Sequence, residues 1–111
     1  MGVTMPPEPE AFGMVVSRQG ARVDVALRGE LDAYSAPRLH EGMGQLGEIA
    51  GRHVVLDLAG VGFVDSAGLA AIVTSLRAVK AGDAVVSVRG MSPQLHKLFE
   101  ITGLSRLFPA E

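Results

Sequence analysis

Ser66 lies where a run of aliphatic residues gives way to a helix, in the stretch Val64-Asp65-Ser66-Ala67-Gly68-Leu69. Two kinds of chemistry could use a hydroxyl there. The first is nucleophilic attack from a strand–turn–helix elbow, G-x-S-x-G, whose first glycine relieves the strain of a sharp bend. Val64 occupies that place and cannot do so. A nucleophilic serine also needs a histidine base in reach. The three histidines are His40 and His96, expected on the solvent side of helices, and His53, at a strand start. A small serine hydrolase is therefore a remote alternative, and the chain is expected not to be an enzyme.

The second chemistry is modification. Ser66 sits where a helix N-cap belongs, and Ala67 and Gly68 leave its hydroxyl open to a bulky partner. A phosphate on Ser66 would add a charge of about −1.5 to −2 and three acceptor oxygens. The first helical amides and the helix dipole would tolerate it. Asp65, and Asp32 if its loop lies alongside, would make the modified patch strongly negative, so that a partner fitted to the neutral serine would be repelled. From spacing alone the simpler reading is favoured, a serine that only caps a helix, with Asp32 and Asp65 as solvated turn residues.

Other motifs fail on single residues. Gly60-Val61-Gly62 resembles the start of a dinucleotide loop, but the third glycine would fall at Asp65, whose carboxylate would repel a pyrophosphate. The chain has no cysteine, and its scattered histidines give no metal-ligand spacing. No cofactor is expected.

The elements that must position Ser66 follow from periodicity. Residues 1–11 are rich in Pro and Glu and read as a flexible lead-in to a domain over residues 12–111. Residues 12–17 form a short strand, and Gly20 turns the chain into a second, where Val23, Val25 and Leu27 alternate with polar residues. Ser35 and Pro37 open a helix with Leu39, Met43, Leu46 and Ile49 or Ala50 on its buried stripe and Gly51 as its stop. A central strand over residues 53–58 ends in a turn at Gly60 and Gly62. The helix after it buries Leu69, Ile72, Val73, Leu76 and Val79. Residues 84–88 form another strand, and Ser92-Pro93 opens a helix that buries Leu95, Leu98 and Phe99 and stops at Gly103. Leu104, Leu107 and Phe108 suggest a last short strand. The result is an α/β fold: a small single-domain sandwich with a mixed four- to five-stranded sheet packed with helices.

Length and charge agree. A chain of 111 residues has room for one core. Hydrophobic residues at 48% and charged residues at 20% are globular values. A net charge of −2 offers no footprint for nucleic acid. Asp57 and Asp65 interrupt the longest apolar run, so no membrane insertion is expected, and the N-terminus shows no secretion signal. A cytoplasmic location is the expectation.

Taken together, Leu27-Arg28-Gly29-Glu30-Leu31-Asp32, Val55-Leu56-Asp57-Leu58 and Phe63-Val64-Asp65-Ser66-Ala67-Gly68-Leu69 resemble the STAS domain family, specifically the stand-alone bacterial anti-sigma factor antagonists. Gly90-Met91-Ser92-Pro93 and Leu98-Phe99-Glu100-Ile101-Thr102-Gly103-Leu104 extend the match, which runs from about Met14 to Phe108. The resemblance implies that Ser66 is phosphorylated by an anti-sigma factor that is itself a serine protein kinase. The unphosphorylated form would bind that kinase and free the sigma factor, phosphorylation would end binding, and a phosphatase would restore it. It further implies a partner-binding surface of Glu30, Asp32, Asp65, Ser66, Ala67, Gly68, Leu69 and Ser92, on a monomer or weak dimer. Family members commonly continue into a C-terminal helix, whereas this sequence stops a few residues after Phe108, with that helix expected to be either absent or cut short. The alternative within the fold is a STAS subunit of a lipid-transport ABC complex, or a signalling scaffold, with a structural Ser66.

Overall fold

The computed structural model describes residues 11–111. The lead-in expected over residues 1–11 lies, except for Ala11, outside the described residues. The hairpin is present as β1 (Gly13–Gln19) and β2 (Arg22–Leu31), paired antiparallel with Gln19 opposite Arg22. Gly20 makes the turn at φ +58°, a conformation that costs glycine little. On β2 the side chains of Val23, Val25, Leu27 and Leu31 are buried, while Arg28 points to solvent. This is the alternation of a strand with one face on the core.

Helix α1 (Ala36–Gly44) buries Leu39 and Met43 as expected, but it ends seven residues before Gly51. Gly44 and Gly47 explain the early stop, because each lowers helix propensity and Gly47 takes φ +75°. Leu46 still reaches the core from the connection that follows. Ser35 precedes α1 but makes no side-chain cap, since its hydroxyl is engaged with Asp32 and Glu30.

Strand β3 (His53–Val64) is the largest departure from expectation. The Gly60 and Gly62 turn is not a turn. The strand continues through both glycines, pairing parallel with β2 to its last residue, with register shifts opposite Leu27 and between Gly29 and Glu30. The extra residues are taken up as bulges, where glycine is at home. At Gly60 the reason is steric, because a Cβ would stand 2.9 Å from the carbonyl oxygen of Leu27.

Helix α2 (Ser66–Ala81), strand β4 (Val85–Arg89), helix α3 (Pro93–Thr102) and helix α4 (Leu104–Leu107) complete the chain. The sheet order is β1-β2-β3-β4, with β4 parallel to β3. α2 buries Ile72, Leu76 and Val79 with Ala71, Ser75 and Gly68, while Leu69 and Val73 are only partly covered. Of the three residues expected inside from α3, Phe99 alone is fully buried; Leu95 is half-buried and Leu98 is exposed. The last strand was expected over residues that instead form α4. The pairing falls just beyond it: the Val88 amide donates to Pro109 at 3.0 Å, and Glu111 donates to Val88 at 2.9 Å. This tail covers the outer edge of β4. Phe108 is fully buried beside it, and such a side chain contributes about 1.5–3 kcal/mol.

Candidate functional site

The site is built where two parallel strands end together. Leu31, the last residue of β2, pairs with Val64, the last of β3, so Asp32 and Asp65 leave the sheet at the same end on neighbouring strands. The Asp65 amide donates to the Leu31 carbonyl at 3.1 Å, which ties the start of α2 to the end of β2. Gly68 then passes so close to Leu31 that a Cβ would stand 2.2 Å from the same oxygen. Only glycine permits that approach without a backbone shift.

The cap of α2 is Asp65, not Ser66. Asp65 has extended backbone and its Oδ1 accepts the Gly68 amide at 2.8 Å. Ser66 is therefore the first helical residue; it is exposed, and its hydroxyl has no hydrogen-bond partner among the described residues. The reason is stereochemical: the capping group must sit on the last non-helical residue. An aspartate there does the work that a serine was expected to do. Capping and surface display thus fall to two residues, Asp65 and Ser66.

Asp32 is held by a reciprocal pairing with Ser35. Its Oδ1 accepts the amides of Tyr34 at 2.9 Å and Ser35 at 3.0 Å. The buried Ser35 hydroxyl accepts the Asp32 amide at 2.9 Å and donates to the Glu30 carbonyl at 2.8 Å. Glu30 is half-buried, and its place opposite Phe63 brings it to the same strand ends. Ala67 and Leu69 are half-buried in the first turn of α2. Ser92 caps α3, accepting the Leu95 amide at 3.2 Å, and borders a cleft of about 350 Å³ shared with Val61, Phe63 and Val64. The structure thus brings the expected site residues to one end of the sheet.

Two residues there escaped the sequence reading. Tyr34, 91% exposed, projects from the Asp32 loop, and Phe63, 51% exposed, stands two residues before Asp65. Both aromatic side chains stand exposed near the paired ends of β2 and β3. The chain's only tyrosine falling two residues after Asp32 was the available signal.

The histidines are engaged elsewhere. His53 Nε2 lies 2.6 Å from Ser87 Oγ, His40 Nδ1 lies 3.3 Å from Ser75 Oγ, and His96 lies beside Glu100. No Ser66–histidine pair of the kind a nucleophile requires is formed. Among the described residues no helix is long and apolar enough to cross a membrane.

An anti-sigma-B factor antagonist of Staphylococcus aureus is 36% identical over 84 residues, covering 76% of this chain and 78% of that protein. The crystal structure of an anti-sigma factor antagonist from Mycobacterium paratuberculosis superposes with a TM-score of 0.74 at 24% identity, over 90% of this chain and 85% of that one. The Bacillus cell fate determinant SpoIIAA in its phosphorylated form has the same fold, with a TM-score of 0.66 at 20% identity over 91% of each chain. The family model described as "Mlab, STAS domain" matches residues 14–109, and the chain belongs to the STAS domain family.

Proposed function

We propose that this chain is an anti-sigma factor antagonist, switched by phosphorylation of Ser66. The observation that carries the reading is the uncommitted hydroxyl of Ser66, exposed at the start of α2 while Asp65 performs the capping. A residue free of structural duty can change its charge without unfolding the helix that bears it. The relative from Staphylococcus, which carries the antagonist's name, supports the same conclusion.

The unmodified surface binds an anti-sigma factor that is also a serine kinase, and the sigma factor is released. Its centre is Ser66 with Ala67, Gly68 and Leu69, flanked by Asp32 and Glu30 on one side and Ser92 on the other. Phosphate on Ser66 meets the first amides of α2 and the positive end of its dipole, so the domain stays folded. The same phosphate, close to two aspartates, makes the patch repel a partner shaped for a neutral serine. A phosphatase resets the switch. The chain acts in the cytoplasm as a monomer or weak dimer, as a substrate and binding module with no catalysis of its own.

Intact-mass analysis after incubation with the cognate kinase and ATP tests the assignment. One phosphate is expected on the wild type and none on Ser66→Ala; phosphate on both overturns it. Binding that ignores the charge at position 66 favours a scaffold instead.

A further inference from the structure

We propose, resting on the antagonist reading above, that the open edge of β3 opposite α3 takes an extended segment of the kinase that binds Ser66, added to the sheet as a further strand. β4 pairs with β3 only from His53 to Asp57, whereas β2 pairs with it as far as Val64. β4 stops short because Gly90 takes φ +72° and turns the chain away. The turn crosses β3 so near Ala59 that a Cβ on Gly90 would stand 2.6 Å from the Ala59 amide nitrogen. From Gly60 to Val64, β3 therefore has a strand on one side alone among the described residues. A strand paired on one side turns alternate amides and carbonyls outward without a partner. Across from this edge stands α3, and the two enclose the cleft of about 350 Å³ lined by Val61, Gly62, Phe63, Ser92, Leu95 and Leu98.

Backbone chemistry decides the class of occupant. A row of outward amides and carbonyls is matched by another extended main chain, which offers donors and acceptors at the same repeat. A helix cannot match it, because its own backbone groups are bonded internally. The walls then select side chains. Phe63 and Leu98 are exposed and apolar, and Leu95 is half-buried between them and the core, so the added segment places an apolar side chain in the cleft. Gly62 supplies the room, since no atom lies within 4 Å of where its Cβ would be. Position decides the source. Val64, at the end of the open edge, comes two residues before Ser66, and Ser92 lines the cleft. The edge is thus continuous with the surface that the kinase covers.

The test measures kinase binding to the full chain by calorimetry and amide exchange with and without the kinase. Complex formation is expected to slow exchange over residues 60–64, because the outward amides gain partners. Gly62→Leu puts a side chain into the open cleft without a clash in the free protein. It should weaken binding about tenfold or more and leave the melting temperature unchanged. Leu98→Gln, on the facing wall, should also weaken binding about tenfold. Wild-type affinity in both variants, or unchanged exchange over residues 60–64 in a complex that does form, overturns the proposal and leaves the antagonist reading standing. Absence of a complex with the wild type, or phosphate on Ser66→Ala, overturns that reading and the added strand with it.

Discussion

Gly68 of α2 rests against the carbonyl of Leu31 at the end of β2, so close that a methyl group would stand 2.2 Å from the oxygen and 2.6 Å from the carbonyl carbon. One contact therefore links the two motifs that carry the family likeness, the Gly29–Asp32 end of β2 and the Asp65–Leu69 helix start. Backbone cannot yield as the end of a flexible side chain can. Gly68→Ala is expected to destabilise the fold by about 1–3 kcal/mol through overpacking, against the small gain that alanine brings to an unconstrained helix. Thermal melts measure it, and the variant should also be phosphorylated more slowly because Ser66 is displaced.

Asp65 and Ser66 should separate cleanly. Asp65→Ala removes the acceptor for the Gly68 amide and is expected to cost about 0.5–2 kcal/mol, as lost N-caps do. Ser66→Ala removes a hydroxyl without a hydrogen-bond partner among the described residues and should stay within about 0.5 kcal/mol of wild type. Urea titrations of both variants decide the matter. A Ser66→Ala loss equal to that of Asp65→Ala would return the capping role to the serine.

Tyr34 is expected to anchor the partner. Its ring is 91% exposed beside the Asp32 turn, and exposed aromatics of this kind become energetic centres of interfaces. Tyr34→Ala should weaken binding to the anti-sigma factor by about 2 kcal/mol or more while leaving the melting temperature unchanged. Calorimetric titration against the kinase reads the first, and a thermal melt the second.

The C-terminal tail should loosen in acid. Arg22 pairs with Asp24 at 2.9 Å and with Glu111 at 2.6 Å, tying the last residue to the second strand. Hydrogen bonds from Arg22 are the main reason that both carboxyl groups sit below the usual carboxylate range. A depressed folded-state pKa means that this stabilisation is fully present above the unfolded value of about 4 and is lost as the pH falls through the lower folded value. Melts of wild type and Glu111→Gln should differ at pH 7 and converge toward pH 3. Because all three groups are about a third exposed, added salt should narrow the gap at pH 7.

Much of this architecture was legible in the residues themselves. Alternation in β2, helical spacing in α2 and Ser92-Pro93 ahead of α3 report local geometry, and local geometry repeats along the chain with a fixed period. The β3 extension was not legible. Gly60 and Gly62 suit a turn or a bulge equally well, and the choice fell to pairing with β2, a contact distant in sequence. α1 stopped early for a related reason, since Leu46 could reach the core without helical backbone.

At the site, sequence alone determined that a serine flanked by small residues and an aspartate would stand between a buried strand and a helix. It could not assign the cap, because capping depends on which residue first takes helical backbone, and the register of β3 against β2 decided that. Tertiary structure made Asp65 the cap and released Ser66. It also brought Asp32 and Asp65 to the same end of the sheet, because β2 and β3 run parallel and end together.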